Sequence, residues 1–323
     1  MEKPYMTTKI RWVIAHEPLN LFVRAAKDFQ DHLNAAISND SEKVQVEIMT
    51  LTEYSHKYND GVLVTKHDLL DLMDQGKIEM SQMYTTWLAE HYEQDMLAFD
   101  LPYIFAGHDH ATRVLEGEVG EGLLAKLKEK SNVRGLSYTY SGGFRQMISN
   151  KEVSTLAELA GTTQRSNRNP VAQATYRALG LNPFVCELEE IVDNMTAGNC
   201  EGAETNYPRI YPLGQNAVTK TVLDTEHSLF LTTMIIGDRF WESLSPAVKA
   251  VIKQAAIEAG REERLETIRD GEIAKQKLTA EGAKIQPLST EELAWAKAQT
   301  AVVYDQFRDM FTPGLVDAIR KQA

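Results

Sequence analysis

The chain has 323 residues, 43% hydrophobic and 25% charged, values of a globular protein with a substantial core and room for two ordinary domains. A formal charge of −12 and a pI near 5.2 argue against a nucleic-acid partner, whose phosphates need clustered Lys and Arg. The same field repels small anions, so an anion site must be built from local cations, which screening over roughly 10 Å permits.

The first residues, MEKPYMTTKI, lack the apolar stretch of a signal peptide. No run approaches the ~18 apolar residues of a membrane-spanning helix; Phe230–Ile236 comes nearest and is interrupted by Thr232 and Thr233. The chain is read as cytoplasmic, or as a mature form whose export signal has been removed. Ile10, Trp12 and Ile14 alternate as in a strand, and Phe22, Ala25, Ala26, Phe29, Leu33, Ala36 and Ile37 recur at helical spacing. Val44, Val46 and Ile48 give a second strand, a helix follows around His67–Asp74, Gly76 ends it, and Ile78–Met83 reads as a third strand. This β-α-β-α-β order favours a parallel sheet with right-handed crossovers.

A polar helix near Gly120–Lys130 precedes a strand at Val133–Tyr140, and Thr155–Glu158 has the form of a capping box opening a short helix. Gly161-Thr162-Thr163-Gln164 reads as a strand, after which Asn169 can cap a helix that has Pro170 at its first position. Val171, Ala174, Ala178 and Leu179 line one face of that helix and Gly180 suits its stop. Pro183–Leu188, Glu189–Ala197 and Cys200–Thr205 continue as strand, helix and strand, a second β-α-β-α-β unit. The remainder is mostly helical from Pro246 to Lys277, with a second capping box at Ser289–Glu292. If the second unit runs in the usual 2-1-3 order, the strands of Cys186 and Cys200 flank the Arg165 strand, and the two thiols do not meet.

In doubly wound sheets, ligands sit beyond the carboxyl ends of strands. Arg165, Phe184–Cys186 and Thr205–Asn206 fall at such ends, and Arg165 puts a cation at the tip of an internal strand. Catalytic signatures are missing: no G-x-S-x-G, P-loop, H-E-x-x-H or C-x-x-C occurs. Gly117–Gly122 has the wrong glycine spacing for a dinucleotide, and His108-Asp109-His110 reads as a polar turn rather than a metal site.

Asp100-Leu-Pro-Tyr-Ile-Phe105, Gly143-Phe-Arg145, Gly161–Pro183, Ala197–Glu204 and His227-Ser-Leu-Phe230 occur in an order and spacing that cover nearly the whole chain. Together they resemble the substrate-binding proteins of TRAP (tripartite ATP-independent periplasmic) transporters. The resemblance implies an α/β fold of two doubly wound lobes, joined by crossing segments and a long helix, with a cleft between them. Lobe one would take 1–136 with 226–258, and lobe two 137–225 with 259–323. It also implies a periplasmic, non-catalytic monomer that captures a small organic acid by lobe closure and delivers it to the permease subunits.

By the same resemblance Arg165 holds the ligand carboxylate, Arg145 is a second arginine of the site, and Asn206 follows the late strand; the alternatives are a structural salt bridge to a local Glu for Arg165 and a solvated loop for Arg145. A guanidinium suits that role because its planar fork matches a carboxylate with two parallel bonds. His16 and Glu17 end the first strand and line the cleft from lobe one or serve as polar caps. Tyr84 either hydrogen-bonds the ligand or packs in the core, and Phe184 packs on the ligand's carbon skeleton or is a core residue of its strand. Arg168 is a second cation for a diacid or a solvated loop residue, and His227 is hinge structure or ligand contact. Some family members use a metal, but here Glu204 is followed by Thr205 in place of an aromatic residue, so no metal and no cofactor are expected. The competing readings are a receptor that presents the ligand to a sensor, and a two-lobed enzyme using His16 or Glu17 as an acid–base group on a small carboxylate.

Overall fold

The computed structural model describes residues 7–16, 20–37 and 43–323. The chain opens with β1 (Thr7–Ile14), α1 (Asn20–Ala36) and β2 (Lys43–Thr50). Thr50 ends β2 and caps α2 (Leu51–Tyr58): its hydroxyl accepts from Glu53 N, and the Glu53 carboxylate accepts from Thr50 N. α3 (Leu69–Asp74) stops at Gly76, whose φ of +69° suits a residue without Cβ, and β3 (Met80–Tyr84), α4 (Thr85–His91), α5 (His108–Glu116) and α6 (Glu118–Lys130) follow. β4 (Val133–Phe144) leads to β5 (Gln146–Ser149), β6 (Thr163–Ser166), α7 (Pro170–Ala178), β7 (Asn182–Val185), α8 (Ile191–Ala197) and β8 (Gly202–Thr205). α9 (Tyr207–Ile210), β9 (Thr221–Asp224), β10 (Leu229–Gly237), α10 (Asp238–Ser243) and α11 (Pro246–Ala280) come next. β11 (Lys284–Pro287), α12 (Thr290–Gln306) and α13 (Leu315–Arg320) complete the chain.

Two compact units result. Unit 1 takes the residues up to Leu88 with Leu115–Tyr140 and Leu231–Glu266; unit 2 takes Ala89–Val114, Ser141–Phe230 and Thr267–Ala323. Consequently β4, β10 and α11 each contribute residues to both. The sheet of unit 1 has the order β2-β1-β3-β10-β4, with β1 parallel to β2 and β3, and β10 antiparallel to β3. Ile10, Trp12, Val13 and Ile14 of β1 are all buried, and α1 covers the sheet with Phe22, Ala25, Ala26, Phe29 and Leu33. Full burial of each large apolar side chain here contributes ~1.5–3 kcal/mol.

Unit 2 is built on a sheet of order β11-β9-β5-β8-β6-β7. β6 lies between β7 and β8 and parallel to both, as expected of the second β-α-β-α-β run. The helix between β6 and β7 starts where the sequence places it: Asn169 Oδ1 accepts from Val171 N at 2.8 Å, and Pro170 takes the first helical position. Gly180 at φ +78° closes the turn into β7.

Several elements differ from the periodic pattern. β5, β9 and β11 have four residues each, too few for alternation to show, and β10 is buried along its whole length, so it has no polar face to mark it. Because β10 and β5 pair antiparallel with their neighbours, both sheets are mixed rather than purely parallel. Thr155 does not cap a helix through its hydroxyl. It opens a 3-10 turn, Leu156–Leu159, and Leu156 N donates instead to Glu292 Oε1. His108–His110 forms the first turn of α5 rather than a turn, with His110 Nδ1 accepting from Ala106 N. α11 is one continuous helix of 35 residues, roughly 50 Å long.

Candidate functional site

Arg165 sits one residue from the end of β6, opposite Phe184 of β7 and Ala203 of β8, and is only 5% exposed. Its Nε and Nη2 both donate to Cys186 O, at 3.0 and 2.9 Å. From the other side the Tyr176 hydroxyl, on α7, donates to Arg165 O at 3.1 Å. Complete burial pushes the Tyr176 hydroxyl far above its ordinary pKa, which keeps it a donor. The guanidinium is thus oriented by the carbonyl that follows β7, and its backbone by α7. The Nη1 edge makes no hydrogen bond among the described residues.

A buried network lies in the same unit. Arg145, between β4 and β5, donates from Nη1 to Glu204 Oε1 at 3.0 Å. The second Glu204 oxygen is 3.5 Å from His227 Nε2, and His227 Nδ1 lies 2.8 Å from Thr225 Oγ1. The His227 backbone is fixed as well, since Tyr103 N donates to His227 O at 2.9 Å. Phe230 presents its ring to two guanidiniums: Arg145 Cζ is 3.6 Å from the ring centroid and Arg209 Cζ 4.8 Å. Burial alone would raise the Glu204 carboxyl, but Arg145, His227 and Arg165 outweigh it and hold the group at about 2. Arg145 and Arg165 therefore face one buried carboxylate between them, which leaves local positive charge in a strongly acidic chain.

Asn206 follows β8 and is 1% exposed; its Nδ2 donates to Gly143 O at 2.6 Å, and its Oδ1 has no partner among the described residues. Gly142, at φ +109°, lets the β4 backbone come this close, because a Cβ there would lie 2.6 Å from Asn206 Cβ. Phe184 is half-buried against the core around Ile191, Met195 and Ile210. Arg168, by contrast, is a surface residue: its side chain is 79% exposed and pairs with Glu187 at 3.3 Å.

In unit 1, His16 is buried at the end of β1 and stacks on Tyr84, at the end of β3, with ring centroids 4.1 Å apart. Phe22 completes this aromatic group, 5.0 Å from His16 and 5.9 Å from Tyr84. Glu17 lies outside the described residues.

The structure thus joins Arg145 and His227 through Glu204, with Arg165 in electrostatic reach, and separately joins His16 to Tyr84. Pattern reading missed Arg209, Tyr176, Thr225 and Phe230. Tyr176 and Phe230 lie inside the Gly161–Pro183 and His227–Phe230 segments without being singled out there, and Arg209 and Thr225 fall within a few residues of Asn206 and His227. Among the described residues no group of three His, Cys, Asp or Glu is arranged to hold a metal. Cys186 and Cys200 are free thiols, and burial pushes both pKa values up, that of Cys200 to about 11.

Residues 25–310 match the model of the bacterial extracellular solute-binding proteins of family 7. The chain is 25% identical over 274 residues to the C4-dicarboxylate-binding periplasmic protein DctP of Rhodobacter capsulatus, covering 81% of this chain and 79% of that one. Its fold matches a TRAP periplasmic solute-binding protein from Ochrobactrum anthropi with a TM-score of 0.86 at 24% identity, over 98% and 95% of the two chains. A second such protein, from Sulfurospirillum deleyianum with bound succinate, matches with a TM-score of 0.79 at 25% identity, over 98% and 99%.

Proposed function

The chain belongs to the bacterial extracellular solute-binding proteins of family 7, and on that premise we propose that it captures a small organic carboxylate outside the cytoplasm and hands it unchanged to a TRAP-type permease. The observation that carries this reading is Arg165, a buried guanidinium held rigidly through Nε and Nη2 while its Nη1 edge stays uncommitted. Such a group supplies charge-assisted hydrogen bonds to a carboxylate without having to be ordered first. Arg145 acts behind it rather than on the ligand, because Glu204 already occupies it. Asn206, with Nδ2 committed to Gly143 O, offers Oδ1 as an acceptor for a hydroxyl or other donor on the ligand. Phe184 meets the ligand's carbon skeleton, and His16, Glu17 and Tyr84 are further candidate ligand contacts. Arg168 pairs with Glu187 at the surface and takes no part.

The protein works as a monomer, without cofactor, metal or catalysis. A relative named for C4-dicarboxylates and another holding succinate make four-carbon acids the first ligands to try. Native mass spectrometry of freshly purified protein should reveal a co-purified carboxylic acid, and denaturation should release it with its mass unaltered. Conversion of the acid on incubation would overturn the transport reading.

A further inference from the structure

Unit 2 holds a cavity of about 310 Å³ that none of Arg145, Arg165, Glu204 and His227 lines. It forms where Tyr103–Gly107, the end of β4, the residues after β9 and the start of α12 come together. Phe105, Phe144, Leu288 and Leu293 give it apolar walls, and its volume is that of a small-ligand pocket.

Two opposite charges line the same cavity. Lys297, one helical turn beyond Leu293, places its ammonium 5.8 Å from the centroid of the Tyr103 ring and makes no ion pair among the described residues. Glu226 donates its backbone N–H to Gln146 Oε1, but its carboxylate has no hydrogen-bond partner among the described residues. Glu226 is exposed at the surface, yet desolvation of its carboxyl by neighbouring atoms and then Asp224 raise its pKa, with Glu272 adding to them and Lys275 opposing, so an incoming cation would relieve it. Asp224 is not spare in this way, since the Tyr207 hydroxyl and Lys275 both bind it.

The backbone singles out the same place. Tyr103 and Glu226 have φ of +57° and +45°, two of the three described non-glycine residues with positive φ. L-residues avoid this region, and it persists where surrounding structure enforces it, often at ligand sites.

We propose that this cavity binds a small zwitterion with an apolar side chain, an amino acid of the leucine or phenylalanine type, with its carboxylate on Lys297 and its ammonium on Glu226. The occupant is a second ligand, separate from the one at Arg165. It would also touch the supports of His227. Thr225 lines the cavity, and its hydroxyl lies 2.8 Å from His227 Nδ1 and 3.4 Å from Arg145 O. Tyr103 lines it too, and its N–H holds His227 O. Occupancy is therefore linked to the Arg145–Glu204–His227 network, and by reciprocity the carboxylate ligand alters affinity for the amino acid. This coupling rests on the Arg165 reading; the binding does not.

Isothermal titration of the ligand-free full chain with L-phenylalanine and L-leucine tests the site. Saturable binding is expected, and Lys297→Met and Glu226→Gln should each weaken it about tenfold or more. On the unaltered protein, 3-phenylpropionate and 2-phenylethylamine, each lacking one charge, should bind about tenfold more weakly or worse. Arg165→Ala should leave amino-acid binding unchanged. Absence of saturable binding at millimolar concentration would overturn the proposal. So would binding lost in Arg165→Ala but kept in Lys297→Met and Glu226→Gln, which would place the amino acid in the carboxylate site. Succinate affinity that stays the same with and without saturating L-phenylalanine would refute the coupling.

Discussion

Arg145 Nη1 and Glu204 Oε1 lie 3.0 Å apart with side chains 5% and 1% exposed, so this ion pair is sealed within unit 2. Pairs of this kind stabilise little over apolar replacements, yet breaking one leaves an uncompensated buried charge. Arg145→Ala should therefore cost ~3–5 kcal/mol in urea unfolding at neutral pH. The acid limb gives an independent reading. Glu204 titrates at about 2 in the folded chain against 4.5 ordinarily, a depressed carboxylate, so its stabilisation is complete above pH 4.5 and fades as pH falls toward 2. The span corresponds to something on the order of 3 kcal/mol. Glu204→Gln should flatten the loss of stability across that window, and an acid limb as steep as that of the unaltered protein would contradict the assignment.

Arg165 predicts a separation between binding and stability. Arg165→Ala and Arg165→Lys should each lose roughly 2–5 kcal/mol of carboxylate affinity, because neither reproduces the planar fork fixed at Cys186 O. The ligand-free protein should unfold within about 1 kcal/mol of the original, since the losses are the hydrogen bonds to Cys186 O and the smallest of the three contributions that keep Glu204 ionised, with Arg145 and His227 still in place. Differential scanning fluorimetry with succinate reads both. A ligand-induced shift in melting temperature that survives in both variants would remove Arg165 from the site.

What could be read in the sequence followed the physics of short-range signals. β6 and α7 were legible because Asn169-Pro170 and Gly180 bracket a helix by local backbone chemistry, and the structure shows that cap at 2.8 Å. The place of Arg165 near the end of an internal strand was legible from the strand and helix signals on either side of it. β10 was not, because burial on both faces erases the alternation that marks a strand. The Arg145–Glu204–His227 group escaped for another reason. Its members are 59 and 23 residues apart, and only the antiparallel pairing of β5 with β8 brings the first two together. Glu204 stood out in the sequence only as a possible metal ligand, and its partner Arg145 turns it into a neutralising counter-charge. Arg209 carried no signal beyond its nearness to Asn206, since its partners Ser141 and Phe230 are distant along the chain.

Gly142 should be intolerant of a side chain for a reason tied to the site. Its φ is +109°, and an added Cβ would meet Asn206 Cβ at 2.6 Å and Arg209 Cδ at 3.3 Å. Gly142→Ala should cost ~1–3 kcal/mol through strain and displacement, and should weaken carboxylate binding by moving Asn206. Gly122, within α6, has open space around it, and Gly122→Ala should instead stabilise by ~0.5–1 kcal/mol. Urea unfolding of the two variants side by side checks the contrast; equal and small effects would mean that Asn206 yields freely.

Asn169 connects a helix cap to the guanidinium. Its Oδ1 accepts from Val171 N and anchors the start of α7, and the same helix carries Tyr176, whose hydroxyl donates to Arg165 O. Asn169→Ala should remove the cap at a cost of ~1 kcal/mol, while Asn169→Ser should recover most of it, because a hydroxyl can accept the same N–H. The loosened first turn should speed amide exchange along α7, and Arg165 should feel this only through Tyr176. Tyr176→Phe, which keeps the ring and deletes the bond, should then weaken carboxylate binding without unfolding α7. Hydrogen exchange with succinate titrations on all three variants would decide the point. If Tyr176→Phe binds as tightly as the original, α7 supports the fold of unit 2 but does not set the position of Arg165.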